Sequence, residues 1–194
     1  MAPPIQWSEL DRRDALDLAI LMEADATERY LDFVNLFEED ANREECAGAL
    51  EFFKKMAASE ARHHDQLAAL RYSLVQNAPR RVSPSLVFGL EAPQRVRAML
   101  AFGAEAGDDA EPRVLVSTRQ ALKVALAAER RALDFFSTAV RETTDPQVRT
   151  IFEGLRTEEA EHCADVARLL SELPPSATGD DPLPPLPPPW SDVP

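Results

Sequence analysis

The stretch ALDLAILMEADATERYLDFV (15–34) returns 106 residues later as ALKVALAAERRALDFFSTAV (121–140). At that offset Ala15 falls on Ala121, Leu16 on Leu122, Ala19 on Ala125, Glu23 on Glu129, Ala26 on Ala132 and Val34 on Val140, with Tyr30 meeting Phe136. A second offset, of 99, lays Phe53 on Phe152, Met56 on Leu155, Glu60 on Glu159, Ala61 on Ala160, His63 on His162 and Leu70 on Leu169. Within each stretch the apolar residues recur at helical spacing, the pattern of a helix with one buried face. Such a face needs a partner, and a helix pair present twice supplies it. The chain is therefore expected to be all-α: a four-helix bundle of two repeated helical hairpins about a pseudo-twofold axis.

Capping and breaking residues place the helix ends. The first helix is expected from Ser8 to about Phe37, with Ser8 and Asp11 as a capping box and Leu16, Ala19, Ile20, Ala26, Tyr30, Val34 and Phe37 inward. The second runs from about Arg43 to Ser73, with Phe53, Met56, Ala57, Leu67 and Leu70 on one face. The third opens near Ser117, capped with Gln120, and carries Leu122, Ala125, Leu126, Leu133, Phe136 and Val140 inward. Asp145 as N-cap and Pro146 at the first helical position start the fourth, which reaches about Leu173 and buries Phe152, Leu155, Val166, Leu169 and Leu170. Between the second and third helices lies a long crossover, residues 74–116, interrupted by Pro79, Pro84, Pro93 and Pro112, with a short helix expected to open at Pro93.

A bundle domain thus spans 1–173. The tail, 174–194, has nine prolines in 21 residues and cannot build a core. A solvated tail is the plainer reading of it, and a peptide that docks a partner through "PLPPLPPPW" the alternative.

The formal net charge of −13 argues against a nucleic-acid partner, which would require basic patches. No apolar run approaches membrane-spanning length, and "MAPPIQWSELDRRDALDL" lacks the basic and apolar regions of a signal peptide. Cys46 and Cys163 form no paired motif. No nucleic acid, no membrane and a cytoplasmic location are the expectations.

The stripes are apolar except at six places. Glu23 lies seven residues from both Leu16 and Tyr30, and Glu129 seven from both Leu122 and Phe136. Glu60 sits between Phe53 and Leu67, and Glu159 between Phe152 and Val166. Seven residues are about two turns, so all four acids are on buried faces, and His63 and His162 follow their glutamates by one turn. An unpaired buried carboxylate costs on the order of several kcal/mol, and four together repel one another. No cation in the stripes neutralises them, since Arg62 and Arg130 point elsewhere by periodicity. Two divalent ions would cancel the four charges and leave the imidazoles as neutral ligands. Mixed carboxylate and imidazole donors suit Fe or Mn. Two Glu-x-x-His motifs at matching places in a repeat, each with a partner glutamate, make a specific signal.

The neighbours of these residues carry less. His64 and Cys163 match each other in the repeat and should face sideways, His64 in a structural or supporting role and Cys163 as an inert buried thiol. Glu158 and Glu161 flank the last motif, yet only Glu159 has a histidine three positions on. Tyr30 could hydrogen-bond a ligand or relay an electron, and a core aromatic is an equal alternative.

The motifs "LMEADATERY", "SEARHH", "ALAAERRALDFF" and "EEAEH" resemble the ferritin-like di-iron carboxylate superfamily, and most its rubrerythrin branch, over about residues 8–172. Carried over residue by residue, the resemblance implies a di-iron centre held by Glu23, Glu60, His63, Glu129, Glu159 and His162. Its cofactors would be two Fe ions, with Mn or mixed Fe/Mn as the alternative. The implied activity is oxidation of Fe(II) by O2 or H2O2, as a ferroxidase or peroxidase.

Two departures qualify this. Rubrerythrins usually carry a further carboxylate one turn after the third-helix glutamate, where this chain has Ala132. The rubredoxin-like domain with its two Cys pairs is also missing, so the electron donor would be a separate protein. Iron binding, storage or delivery without turnover is one alternative, and oxygenation of an organic substrate another. A homodimer, paired through a further apolar face, is the expected assembly.

Overall fold

The computed structural model describes residues 5–39, 47–82 and 118–173. A 3-10 turn, Trp7–Glu9, precedes four helices: α1 (Arg12–Glu39), α2 (Ala47–Val75), α3 (Thr118–Glu142) and α4 (Pro146–Glu172). No strand occurs among the described residues. Helix α1 packs along α2 and α3 along α4, two hairpins that close into the expected bundle through contacts such as those of α1 with α4. The short helix expected at Pro93, the Ser117 cap, Cys46 and the 174–194 tail lie outside the described residues.

The start of α1 differs from expectation. Ser8 belongs to the 3-10 turn, and the capping box sits three residues later. Asp11 Oδ1 accepts from the backbone N–H groups of Arg13 (2.9 Å) and Asp14 (3.0 Å), while Asp14 Oδ2 accepts from the Asp11 N–H (3.3 Å). Both readings satisfy the same chemistry, but a carboxylate complements the positive helix end better than a hydroxyl. At α4 the expected cap is present: Asp145 Oδ1 accepts from Gln147 N (2.7 Å) and Val148 N (3.2 Å), with Pro146 in the first turn. Helix α2 ends at Val75, followed by Gln76 in the left-handed region (φ 52°), where the Gln76 N–H reaches the carbonyl of Tyr72 at 2.8 Å.

Two apolar clusters fill the bundle. One holds Tyr30, Phe33 and Phe37 of α1, Phe53 and Met56 of α2, Leu122 and Ala125 of α3, and Val166 of α4. The other holds Ala15, Leu18 and Met22 of α1, Phe135, Phe136 and Ala139 of α3, and Phe152 and Leu155 of α4. Trp7 seals the second, its ring centroid 5.1 Å from Phe135 and edge-on. The expected inward residues of α1 are all buried; in the other helices Leu67, Leu133, Val140, Leu169 and Leu170 are half-buried or at the margin, and Leu70 is exposed.

Asp17, wholly buried, is unexpected in an apolar stripe. It pairs with Arg71 of α2 and accepts the Arg81 N–H at 3.0 Å, while Arg71 also donates to the carbonyl of Ala78 at 2.8 Å. One buried carboxylate thus ties α1, the end of α2 and the first residues of the crossover together.

Candidate metal centre

Between the two clusters, at the waist of the bundle, each helix contributes one wholly buried acid. Glu23 and Glu129 are each 1% exposed, Glu60 0% and Glu159 4%. The structure brings them together with both histidines of the repeated motif. His63 Nδ1 lies 3.5 Å from Glu23 Oε2 and 3.8 Å from Glu60 Oε2. His162 Nδ1 lies 2.9 Å from Glu60 Oε1 and 3.6 Å from Glu129 Oε2. The imidazole rings stack with centroids 5.7 Å apart. Donor atoms of Glu60, His63 and His162 form one group, and those of Glu129, Glu159 and His162 another, each within 4.8 Å. Either group could hold a metal ion, and His162 is common to both. Glu60 lies between the two imidazoles, 3.8 Å from His63 Nδ1 and 2.9 Å from His162 Nδ1.

Chemistry and geometry both fit metal. Glu23 Oε2, both Glu60 oxygens, Glu159 Oε2 and His162 Nδ1 are buried without a hydrogen-bond partner. Glu60 Oε1 and His162 Nδ1 lie 2.9 Å apart, the spacing of two donors on one ion. Ligands about 2.1 Å from one ion sit about 3.0–3.4 Å apart, close to the separations found. Buried polar atoms are nearly always satisfied in folded proteins, so five orphans in one place call for a shared partner.

The electrostatics show what the metal-free site does with its charge. Burial pushes Glu23 up to about 8, with the Glu60 carboxylate adding to the effect against the pull of His63. Burial likewise raises Glu159 well above the carboxylate range, reinforced by Glu129. For Glu60 burial is outweighed by the imidazoles of His162 and His63, which hold it at about 2. Glu23 and Glu60 raise His63 to about 10, and Glu129 and Glu60 raise His162 to about 10 against the opposing effect of burial. Metal and protons therefore compete for the same atoms.

A buried cation also went unforeseen. Arg29, 13% exposed, places Nη1 3.3 Å from Glu129 Oε1 and Nη2 3.1 Å from Asp25 Oδ2. Asp25 and Glu129 hold the guanidinium charged despite burial. One guanidinium shared between Asp25 and Glu129 does not balance four acids. The signal was present in the repeat, where Arg29 and Asp25 fall on Phe135 and Arg131 and so break the pattern.

Tyr30 donates its hydroxyl to Glu129 Oε1 at 2.7 Å, and burial beside that carboxylate keeps the phenol protonated well above its usual range. Tyr30 is both things expected of it, a wholly buried core aromatic and a hydrogen-bond donor to Glu129. His64 turns aside as expected, its Nδ1 3.1 Å from Asp65 Oδ1. Cys163 packs against the first cluster, with burial raising its thiol to about 11. Arg62 and Arg130 are exposed, Arg62 Nη2 donating to Ser59 Oγ at 3.2 Å. Glu158 does more than flank its motif: its Oε2 lies 3.7 Å from His63 Nδ1.

No family model and no curated protein matches the chain. Among solved structures it is similar to an uncharacterized conserved protein from Magnetospirillum magnetotacticum MS-1, with a TM-score of 0.64 and 21% identity over 87% of this chain and 99% of that one. At such identity the likeness speaks for the helical fold alone. None of the described helices is long and apolar enough to cross a membrane.

Proposed function

We propose that the chain is a non-haem di-iron protein of the rubrerythrin-like type, oxidising Fe(II) with O2 or H2O2 as a ferroxidase or peroxidase. The observation that carries this reading is the gathering of one buried acid from each helix beside two histidines, with orphaned donor atoms on Glu23, Glu60, Glu159 and His162. The ligands in this reading are Glu23, Glu60, His63, Glu129, Glu159 and His162, with Glu60 bridging. Two ferrous ions held there supply the two electrons that reduction of H2O2 to water requires.

The protein's own part is positioning and exclusion. The aromatic clusters on either side keep bulk water from the waist, which strengthens each charge interaction inside it. Tyr30 and Arg29 fix the Glu129 carboxylate by direct bonds, and the hydroxyl holds a proton 2.7 Å from a site oxygen. The reading includes a separate electron-donor protein and assembly as a homodimer. Iron binding without turnover is the second reading, supported by Ala132 standing where the related proteins usually add a carboxylate. Oxygenation of an organic substrate has less support: Ala19, Ala26, Ala125 and Ala132 are all buried in helix contacts.

Elemental analysis of the purified protein, with its visible spectrum before and after H2O2, tests the proposal. Two irons per chain, a new near-ultraviolet band on oxidation and rapid peroxide loss are expected. Iron retained with no oxidation would select the second reading, and a folded protein unable to bind iron would overturn both.

A further inference from the structure

The pseudo-twofold relates the backbone of the two halves of the site but not their surroundings. On the Glu129 side, Tyr30 and Arg29 both occupy Glu129 Oε1. Their repeat mates, Phe136 and Phe135, offer Glu23 neither a donor nor a charge. Glu23 Oε2 accordingly has no hydrogen-bond partner although its residue is 1% exposed. The second break in symmetry is at the surface. Glu158 falls on Ser59 in the repeat, and Ser59 Oγ is engaged by the Arg62 guanidinium.

These breaks act in the same direction. Around His63 Nδ1 stand three carboxylate oxygens from three helices: Glu23 at 3.5 Å, Glu60 at 3.8 Å and Glu158 at 3.7 Å. Glu158 is 41% exposed and His63 15%, so this end of the site meets solvent through an acid. The related position at the other end carries a serine held by an arginine, and Arg29 adds a second positive group beside Glu129. An approaching cation is attracted where Glu158 meets solvent beside His63.

We propose that Glu158 is a seventh, solvent-facing ligand at the Glu23–Glu60–His63 end, through which a divalent cation enters and by which that position fills first. This rests on the metal-centre reading above. The cation exchanges water for the exposed Glu158 carboxylate, then passes to the orphaned oxygen of Glu23 and to His63. The second ion occupies the Glu129–Glu159–His162 end, where the guanidinium lowers the attraction.

Anaerobic loading of the full chain with Co2+, followed by visible absorption in stopped flow and by equilibrium titration, tests this without reference to turnover. Wild type should load two ions in two resolved steps. Glu158→Gln should slow the first step and weaken the first ion by about tenfold or more, while still reaching two ions at saturation. Glu161→Gln removes the same charge from an exposed neighbour on α4 and should load like wild type. Equal loading by both variants would overturn the role of Glu158 while leaving the metal centre intact. Wild type that binds no Co2+ would overturn the centre and the entry route together, and unchanged melting of E158Q would show that its loss is not one of folding.

Discussion

Glu159 illustrates a conflict between stability and binding at the scale of one side chain. It is 4% exposed, its Oε2 has no hydrogen-bond partner, and burial raises its carboxyl well above the usual range. A buried polar group left without a partner costs about 1–3 kcal/mol, which an apolar side chain of similar size does not incur. Glu159→Leu should therefore make the metal-free protein harder to unfold in urea and should lose the second ion. A variant that unfolds more easily without metal would mean Glu159 is already satisfied. Glu60→Ala and Glu129→Ala should abolish paired-metal binding with helix content by circular dichroism largely unchanged, and two metals still bound would refute the ligand assignment. These six residues were legible because each is a polar interruption of an apolar stripe, at matching places in two copies. Arg29, Tyr30 and Glu158 were not resolved by that logic, since their roles arise from contacts between helices that the periodicity of one helix does not contain.

At the scale of elements the sequence located the helices well and their first residues less well. Ser8 and Asp11 are both good caps three residues apart, and local spacing does not choose between them. Trp7 decides it: packed edge-on against Phe135, it holds the Ser8 segment as a separate turn, leaving Asp11 to begin α1. Asp11→Ala should cost about 1 kcal/mol in chemical denaturation, within the range for lost caps. Ser8→Ala should stay within about 0.5 kcal/mol, and the opposite order would restore the cap to Ser8. Asp17 has a larger role. Its repeat mate is Lys123, so repetition gave no hint of a buried acid, and its partner Arg71 lies on another helix. Asp17→Ala would leave Arg71, 11% exposed, without its charge partner, a loss of about 3–5 kcal/mol. Urea unfolding measures it, and a loss under about 1 kcal/mol would show Arg71 finding other partners.

For the whole molecule, metal and protons are rivals for one buried volume, and the rivalry has a definite sign. At pH 7 Glu23, raised to about 8, is mostly protonated, and His63 and His162, near 10, are imidazolium. Binding as ligands requires each of these three to give up its proton. Loading two ions at pH 7 should thus release about three protons per chain or more, read by an indicator dye in weakly buffered solution. The same competition makes affinity rise with pH up to about 10, where the imidazoles no longer hold protons against the ion. Because metal binds the folded chain, saturation at 100 times Kd adds about 2.7 kcal/mol per ion to stability. The rise in Tm on adding a fixed concentration of Mn2+ should accordingly be greater at pH 8 than at pH 6. A pH-independent rise with no proton release would mean that the ions bind at surface carboxylates already ionised, and that the acids at the waist take no part.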